Sequence, residues 1–248
     1  MNYPAATLAL GPFCILQGQH LRRVTPVLPE PPGPREGRKG SGPTMRLLIL
    51  GDSAAAGVGA TRQEEGFAGQ LVSCLAAQFT ISWKLLAKTG ATTGDTLDSL
   101  ENTGAEPFDV VVVSLGVNDL TSGHQRWLWL KRQAKLIDLL NTKFEARLIL
   151  LSGLPPMHLF PALPQPLRWY MGLGASHFNA GLHKMVNQLT NCRVLSVEVS
   201  RQLDGLALEG FASDGFHPGP AFYKSWAKHL AEEIVSHPNI AIHTDHCE

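Results

Sequence analysis

Four short stretches hold side chains and backbone groups suited to nucleophilic chemistry: Gly51-Asp52-Ser53, Thr89-Gly90-Ala91, Gly116-Val117-Asn118-Asp119 and Asp214-Gly215-Phe216-His217-Pro218. A serine hydroxyl is a poor nucleophile at its ordinary pKa, so a base must take its proton as it attacks. His217 is the candidate base. Asp214 precedes it by one turn with a glycine between, close enough to accept from the second ring nitrogen, fix the tautomer and stabilise the imidazolium. Acyl transfer also develops an oxyanion, which needs donors aimed at it beforehand. The Ser53 N–H, the Gly90 N–H and the Asn118 side-chain amide are the candidates.

Such groups work only if one scaffold brings them together. From Met45 onward, apolar strand-like runs alternate with amphipathic stretches, the pattern of a parallel sheet covered on both faces. Strands are predicted at 46–50, 81–87, 109–115, 147–151 and 193–197, and helices at 65–79, 96–100, 127–140, 169–189 and 220–235. The run Val110 to Val113 is the clearest strand, because consecutive β-branched residues suit a strand buried on both sides. The expected fold is therefore three-layer α/β around a central five-stranded parallel sheet. In such sheets ligands bind beyond the carboxyl ends of the strands. The candidate residues all follow strands, and a flavodoxin-like order with the second and third strands flanking the first would gather Ser53, Gly90 and Asn118 in one crevice.

Each residue also has a plainer use. Ser53 could cap a helix, Asn118 and Asp119 could end a strand as turn residues, and Gly90 could only permit a turn. Asp52 and Asp119 are read as structural acceptors. A lone Gly-Asp-Ser is a weak signal, whereas Asp-Gly-x-His-Pro is roughly fifty times rarer on average residue usage. Their conjunction, in this order and with this strand rhythm between them, is what carries weight.

Taken together, the blocks resemble those of the SGNH (GDSL-type) hydrolases, over about residues 45 to 236. Ala54, where the family's common name expects leucine, is a departure shared with bacterial esterases of the family, which Gly57-Val58-Gly59 also resembles. The resemblance implies a flavodoxin-like fold, a Ser53, Asp214, His217 triad and an oxyanion hole built from Ser53, Gly90 and Asn118. It implies no cofactor and no metal. The activity expected is hydrolysis of short to medium acyl carboxylic esters through an acyl-serine. Glycan O-acetyl esterase, lysophospholipase or acyltransferase activity on the same fold is the runner-up. A flavodoxin-like nucleotide-binding module is the non-enzyme alternative, disfavoured because neither G-x-G-x-x-G nor G-K-[ST] is present where it would be needed.

Composition narrows the partners. Lys plus Arg equals Asp plus Glu at 21 each, so no net field favours nucleic acid or an anionic surface, and a small-molecule ester is the expected ligand. The four cysteines are scattered without metal-ligand spacing and are read as reduced thiols. The apolar run from Ala5 to Leu16 is too short for a membrane span, is interrupted by Pro12 and lacks a preceding cation, so a cytoplasmic location without membrane contact is expected. Residues 24–44 are rich in proline and glycine, excluding helix and central strand. Residues 1–44 are accordingly an N-terminal extension with a Pro/Gly-rich linker, and 45–248 the catalytic domain. Prolines between 154 and 173, among apolar and aromatic residues, suggest a loop bordering the crevice, and Trp127 and Trp129 are candidates for the same wall. Oligomeric state is not encoded in any motif.

Overall fold

The computed structural model describes residues 3–195 and 210–241. Its elements in chain order are α1 (Tyr3–Val24), β1 (Glu36–Lys39), β2 (Thr44–Gly51), α2 (Ser53–Ala56), α3 (Phe67–Leu75), β3 (Thr80–Ala87), α4 (Thr93–Glu101), β4 (Val110–Ser114), α5 (Val117–Thr121), α6 (Arg126–Thr142), β5 (Leu148–Ser152), α7 (Leu167–Val186), β6 (Cys192–Leu195), α8 (Pro220–Ser236) and α9 (Pro238–Ala241). A short 3-10 turn, Met157–Leu159, lies between β5 and α7.

The sheet order is β1-β3-β2-β4-β5-β6. All neighbouring pairs from β3 to β6 are parallel, and β3 and β4 flank β2 as the flavodoxin-like order requires. Each predicted strand is present, although the end predicted for the last one, up to Val197, lies outside the described residues. One correction concerns strand number. The sheet has six strands and is mixed, because Glu36–Lys39 pairs antiparallel with the free edge of β3. All four residues of β1 are exposed, so the segment carries no apolar alternation that could mark it as a strand. A charged, short edge strand of this kind also protects a sheet from pairing with other chains.

Alternation along the parallel strands explains the two cores. Leu48, Leu50, Val111, Val113, Ile149 and Leu151 face one layer, which α4, α6 and α7 cover. Leu47, Ile49, Val110, Val112, Leu148 and Leu150 face the other, covered by α3 and α8. Every residue of β4 and β5 is buried. Burying each such aliphatic side chain contributes roughly 1.5–3 kcal/mol, so the central strands are the stiffest base on which loops can be held.

The N-terminal extension carries a helix of 22 residues and is docked. α1 lies against α7, with Tyr3 stacked on Tyr170 at 5.1 Å and Gln17 bonded to Gln165 and Leu167. Among the described residues no helix is long and apolar enough to cross a membrane. Cys14, Cys74 and Cys192 are free thiols.

Candidate active site

Ser53 sits immediately beyond β2, as the first residue of α2. The turn from strand into helix is tight. A Cβ on Gly51 would lie 2.5 Å from Ala55 and 2.6 Å from the Ser114 carbonyl, so only glycine lets the helix fold back over the strand end. Asp52 caps α2 by accepting from the Ala54 N–H at 3.1 Å. The opening N–H groups of any helix lack an intrahelical acceptor, which leaves the Ser53 N–H available to a ligand.

His217 comes from the far end of the chain. Its Nε2 is 3.0 Å from Ser53 Oγ, and its Nδ1 is 2.5 Å from Asp214 Oδ2. The other carboxylate oxygen of Asp214 accepts from the N–H groups of Phe216 and His217, both at 2.9 Å, and this winds the loop tightly enough to bring both side chains together. Burial of Asp214 works against its ionisation, but the His217 ring and these N–H groups outweigh it and hold the carboxyl below its usual range. Its side chain is fully shielded from solvent, while that of His217 is 19% exposed. The expected serine, imidazole and carboxylate are thus joined in one hydrogen-bonded row.

Several braces fix this row. The loop carrying His217 is closed by an N–H···O bond from Ala212 to His217 (2.8 Å) and another from Gly219 to Gly210 (2.7 Å). Tyr223 on α8 donates to the Val58 carbonyl at 2.6 Å, locking the helix after His217 onto the segment after Ser53.

The two remaining candidate donors are arranged differently from one another. Gly90 occupies the third position of a turn closed by the Ala91 N–H on the Lys88 carbonyl (3.0 Å), with φ +82°, a conformation that favours glycine. Its N–H finds no acceptor among the described residues. The Asn118 amide is committed: it donates to the Ala91 carbonyl at 3.0 Å and to Asp52 Oδ2 at 3.3 Å. An oxyanion would have to displace the longer of these bonds. Burial pushes the Asp52 carboxyl up to about 6, against the Ala54 N–H and the nearby His217, which favour its anion.

Asp119 has the structural task assigned to it. Fully buried, it accepts from Thr93 N and Oγ1, each at 2.9 Å, and from His124 at 3.2 Å, so it ties the loop after β4 to the start of α4.

One feature escaped the reading of the sequence and a second was anticipated only in part. Glu30, in the Pro-rich linker, accepts at 2.7 Å from both the N–H and the hydroxyl of Thr89, beside Gly90, and pairs with Arg35 at 2.9 Å. No local pattern marks it. The second is an apolar cleft of about 660 Å³, counted out to its open mouth, on the β4–β5 side of Ser53. Leu154, Pro155 and Phe160 line it, as the 154–173 loop suggested, but Phe211, Phe216 and Phe222 form the opposing side. Three phenylalanines crowded around His217 were the available signal. Trp127 and Trp129 do not contribute: Trp129 is buried against Phe178 and Trp127 is exposed. The helical period places those two indoles toward the core and toward solvent.

A mostly parallel α/β sheet with a serine, a histidine and a carboxylate aligned beyond its strand ends has the arrangement that serine hydrolases use. Residues 49–224 match the GDSL-like Lipase/Acylhydrolase family, and the chain belongs to that family. The GDSL-like esterase Rv1075c of Mycobacterium tuberculosis (strain ATCC 25618 / H37Rv) is 30% identical over 181 residues, an alignment covering 65% of this chain. The chain spans 57% of the length of that relative. Among solved structures, a member of the lipolytic protein G-D-S-L family from Veillonella parvula DSM 2008 superimposes with TM-score 0.60 at 18% identity, covering 77% of this chain and 97% of that one. A mutant of the acetyl-xylooligosaccharide esterase Axe2 from Geobacillus Stearmophilus gives TM-score 0.61 at 18% identity, covering 81% and 98%. At these identities the two structures establish the shared fold.

Proposed function

We propose that the chain is a serine esterase that hydrolyses short to medium acyl carboxylic esters, with Ser53 as nucleophile, His217 as base and Asp214 orienting that base. The observation that carries this reading is the hydrogen-bonded row Ser53–His217–Asp214, with both links at 3.0 Å or less, at the mouth of an apolar cleft. Ser53 Oγ attacks the ester carbonyl carbon as its proton passes to His217 Nε2. The oxyanion is received by the N–H groups of Ser53 and Gly90, with Asn118 able to join by releasing Asp52. As the carbonyl reforms, the carbon–alkoxy bond breaks, and the departing oxygen takes the proton from His217. Water then enters on the same side, gives a proton to His217 and attacks the acyl-serine. The acid leaves, and the Ser53 hydroxyl recovers its proton.

Residues 45–248 are the catalytic unit in this reading, and residues 1–44 serve as a brace for it, since Glu30 holds the turn that presents Gly90. The buried thiol of Cys192, pushed up to about 12 by burial, is kept unreactive. The direct test compares turnover of p-nitrophenyl esters by the native chain and Ser53→Ala, together with labelling by a serine-directed phosphonate. A loss of at least about a thousandfold, with label on Ser53 alone, is expected. Equal rates would remove Ser53 from the mechanism.

A further inference from the structure

The cleft lies to one side of Ser53 and the Gly90 N–H lies to the other. Gly90 follows β3 and the cleft opens over the ends of β4 and β5, and in the sheet β3 and β4 are on opposite sides of β2. A carbonyl oxygen pointed toward Gly90 leaves the acyl group and the alkoxy group to be shared between the cleft and the outer, His217 side. Order of events separates these two. The alcohol departs first and water must arrive where it left, within reach of His217 Nε2. An alcohol seated in the cleft would have to escape past the acyl-serine, and water would have to be delivered through an apolar space. An acyl group seated there obstructs neither movement.

The walls also have a definite chemistry. Phe160 meets Phe211 edge-on at 5.2 Å and Phe216 edge-on at 5.3 Å, so one ring bridges the loop after β5 and the loop carrying His217. That contact is reinforced by the Ala162 N–H on the Gly215 carbonyl at 3.1 Å. Among the described residues no lysine or arginine lines the cleft, and the ionisable ones that do are Asp52 and His217. A carboxylate carried on the acyl chain would be desolvated without a counter-charge.

We propose that this cleft is the acyl pocket, that it selects neutral, apolar acyl groups, and that Phe160 sets the longest chain it accepts. The assignment rests on Ser53 being the nucleophile. Two substrate series separate acyl from alcohol binding: p-nitrophenyl esters of straight-chain acids from acetyl to decanoyl, and acetate esters of straight-chain alcohols over the same range. On the native chain, kcat/KM should rise about fourfold per methylene along the acyl series until the cleft is filled. Along the alcohol series it should stay within about threefold overall. Phe160→Ala should move the acyl optimum at least about two carbons longer, and Phe160→Trp, which keeps the wall filled should the truncation fail to fold, should move it shorter. The p-nitrophenyl half-ester of succinate should react at least about a hundredfold more slowly than the butyrate. A steep alcohol series with a flat acyl series, or an acyl optimum that neither Phe160 variant moves, would overturn the assignment. Phosphonate labelling distinguishes the two levels. Labelled Ser53 with a flat acyl series sinks only the pocket, whereas unlabelled Ser53 sinks the nucleophile and the pocket with it.

Discussion

Glu30→Ala tests whether the N-terminal linker takes part in catalysis through position alone. The Glu30 carboxylate accepts at 2.7 Å from both donors of Thr89, the residue whose carbonyl shares a peptide plane with the Gly90 N–H. Hydrogen bonds to a charged group contribute about 1.5–3 kcal/mol each when shielded. The side chain is 32% exposed, so water replaces part of this, and a stability loss of about 1–2 kcal/mol is expected. The catalytic effect is separate. Deleting one oxyanion donor costs about a hundredfold or more in kcat, and loosening the turn that carries it should cost about tenfold. KM should hold within about twofold, because the cleft is untouched. Glu30→Gln keeps an oxygen for the Thr89 N–H while losing the Arg35 ion pair, and should recover kcat to within about threefold of native. Burial of Glu30 opposes its ionisation, but Thr89 and Arg35 outweigh it and lower its pKa in the folded chain. Its contribution to stability is therefore present above the ordinary glutamate range near about 4.3 and is lost as pH falls below that range. Initial rates on p-nitrophenyl butyrate, paired with thermal melts, measure both effects. A Glu30→Ala chain with lowered Tm but unchanged kcat would show that the linker stabilises the fold and does nothing for the reaction.

Two further outcomes follow from the same geometry. Gly90→Ala introduces a Cβ into open space, so its effect must come from the backbone at φ +82°; about 1–2 kcal/mol of strain and a tenfold to hundredfold fall in kcat with KM retained are expected, and an unaltered kcat would deny Gly90 its donor role. Asp52, pushed up to about 6, keeps a proton in the folded chain that the unfolded chain has released above about pH 4, so its ionisation subtracts stability between those values and no more above them. Asp52→Asn retains an oxygen for the Ala54 N–H and should flatten that span of the Tm–pH curve, whereas an unchanged slope would place the titration elsewhere.

The residues that could be read from the sequence are those whose chemistry restricts each position to one or two amino-acid types. A nucleophile beyond the first parallel strand, a glycine turn beyond the next and an Asp-Gly-x-His block before the last helix leave few alternatives, and the structure joins the serine, histidine and aspartate. The buried strands were equally plain, because Val110 to Val113 can be satisfied only by apolar cover on both faces. β1 was not, since Glu-Gly-Arg-Lys needs no buried face and obtains its structure from the vacant edge of β3. Glu30 was hidden for a related reason. A carboxylate that caps Thr89 can be supplied from any part of the chain that topology brings near, so nothing around residue 30 betrays the task. The phenylalanines beside His217 fall between these cases. Phe211 and Phe216 belong to a loop, where no helical or strand period accounts for an apolar side chain. Large rings in such a loop, next to a histidine already singled out, need another surface to face, and Phe160 provides it from the loop after β5. Had that unexplained hydrophobicity been followed, the wall of the cleft would have been predictable from residues 211–222 together with 154–160, though its position to one side of Ser53 required the strand order.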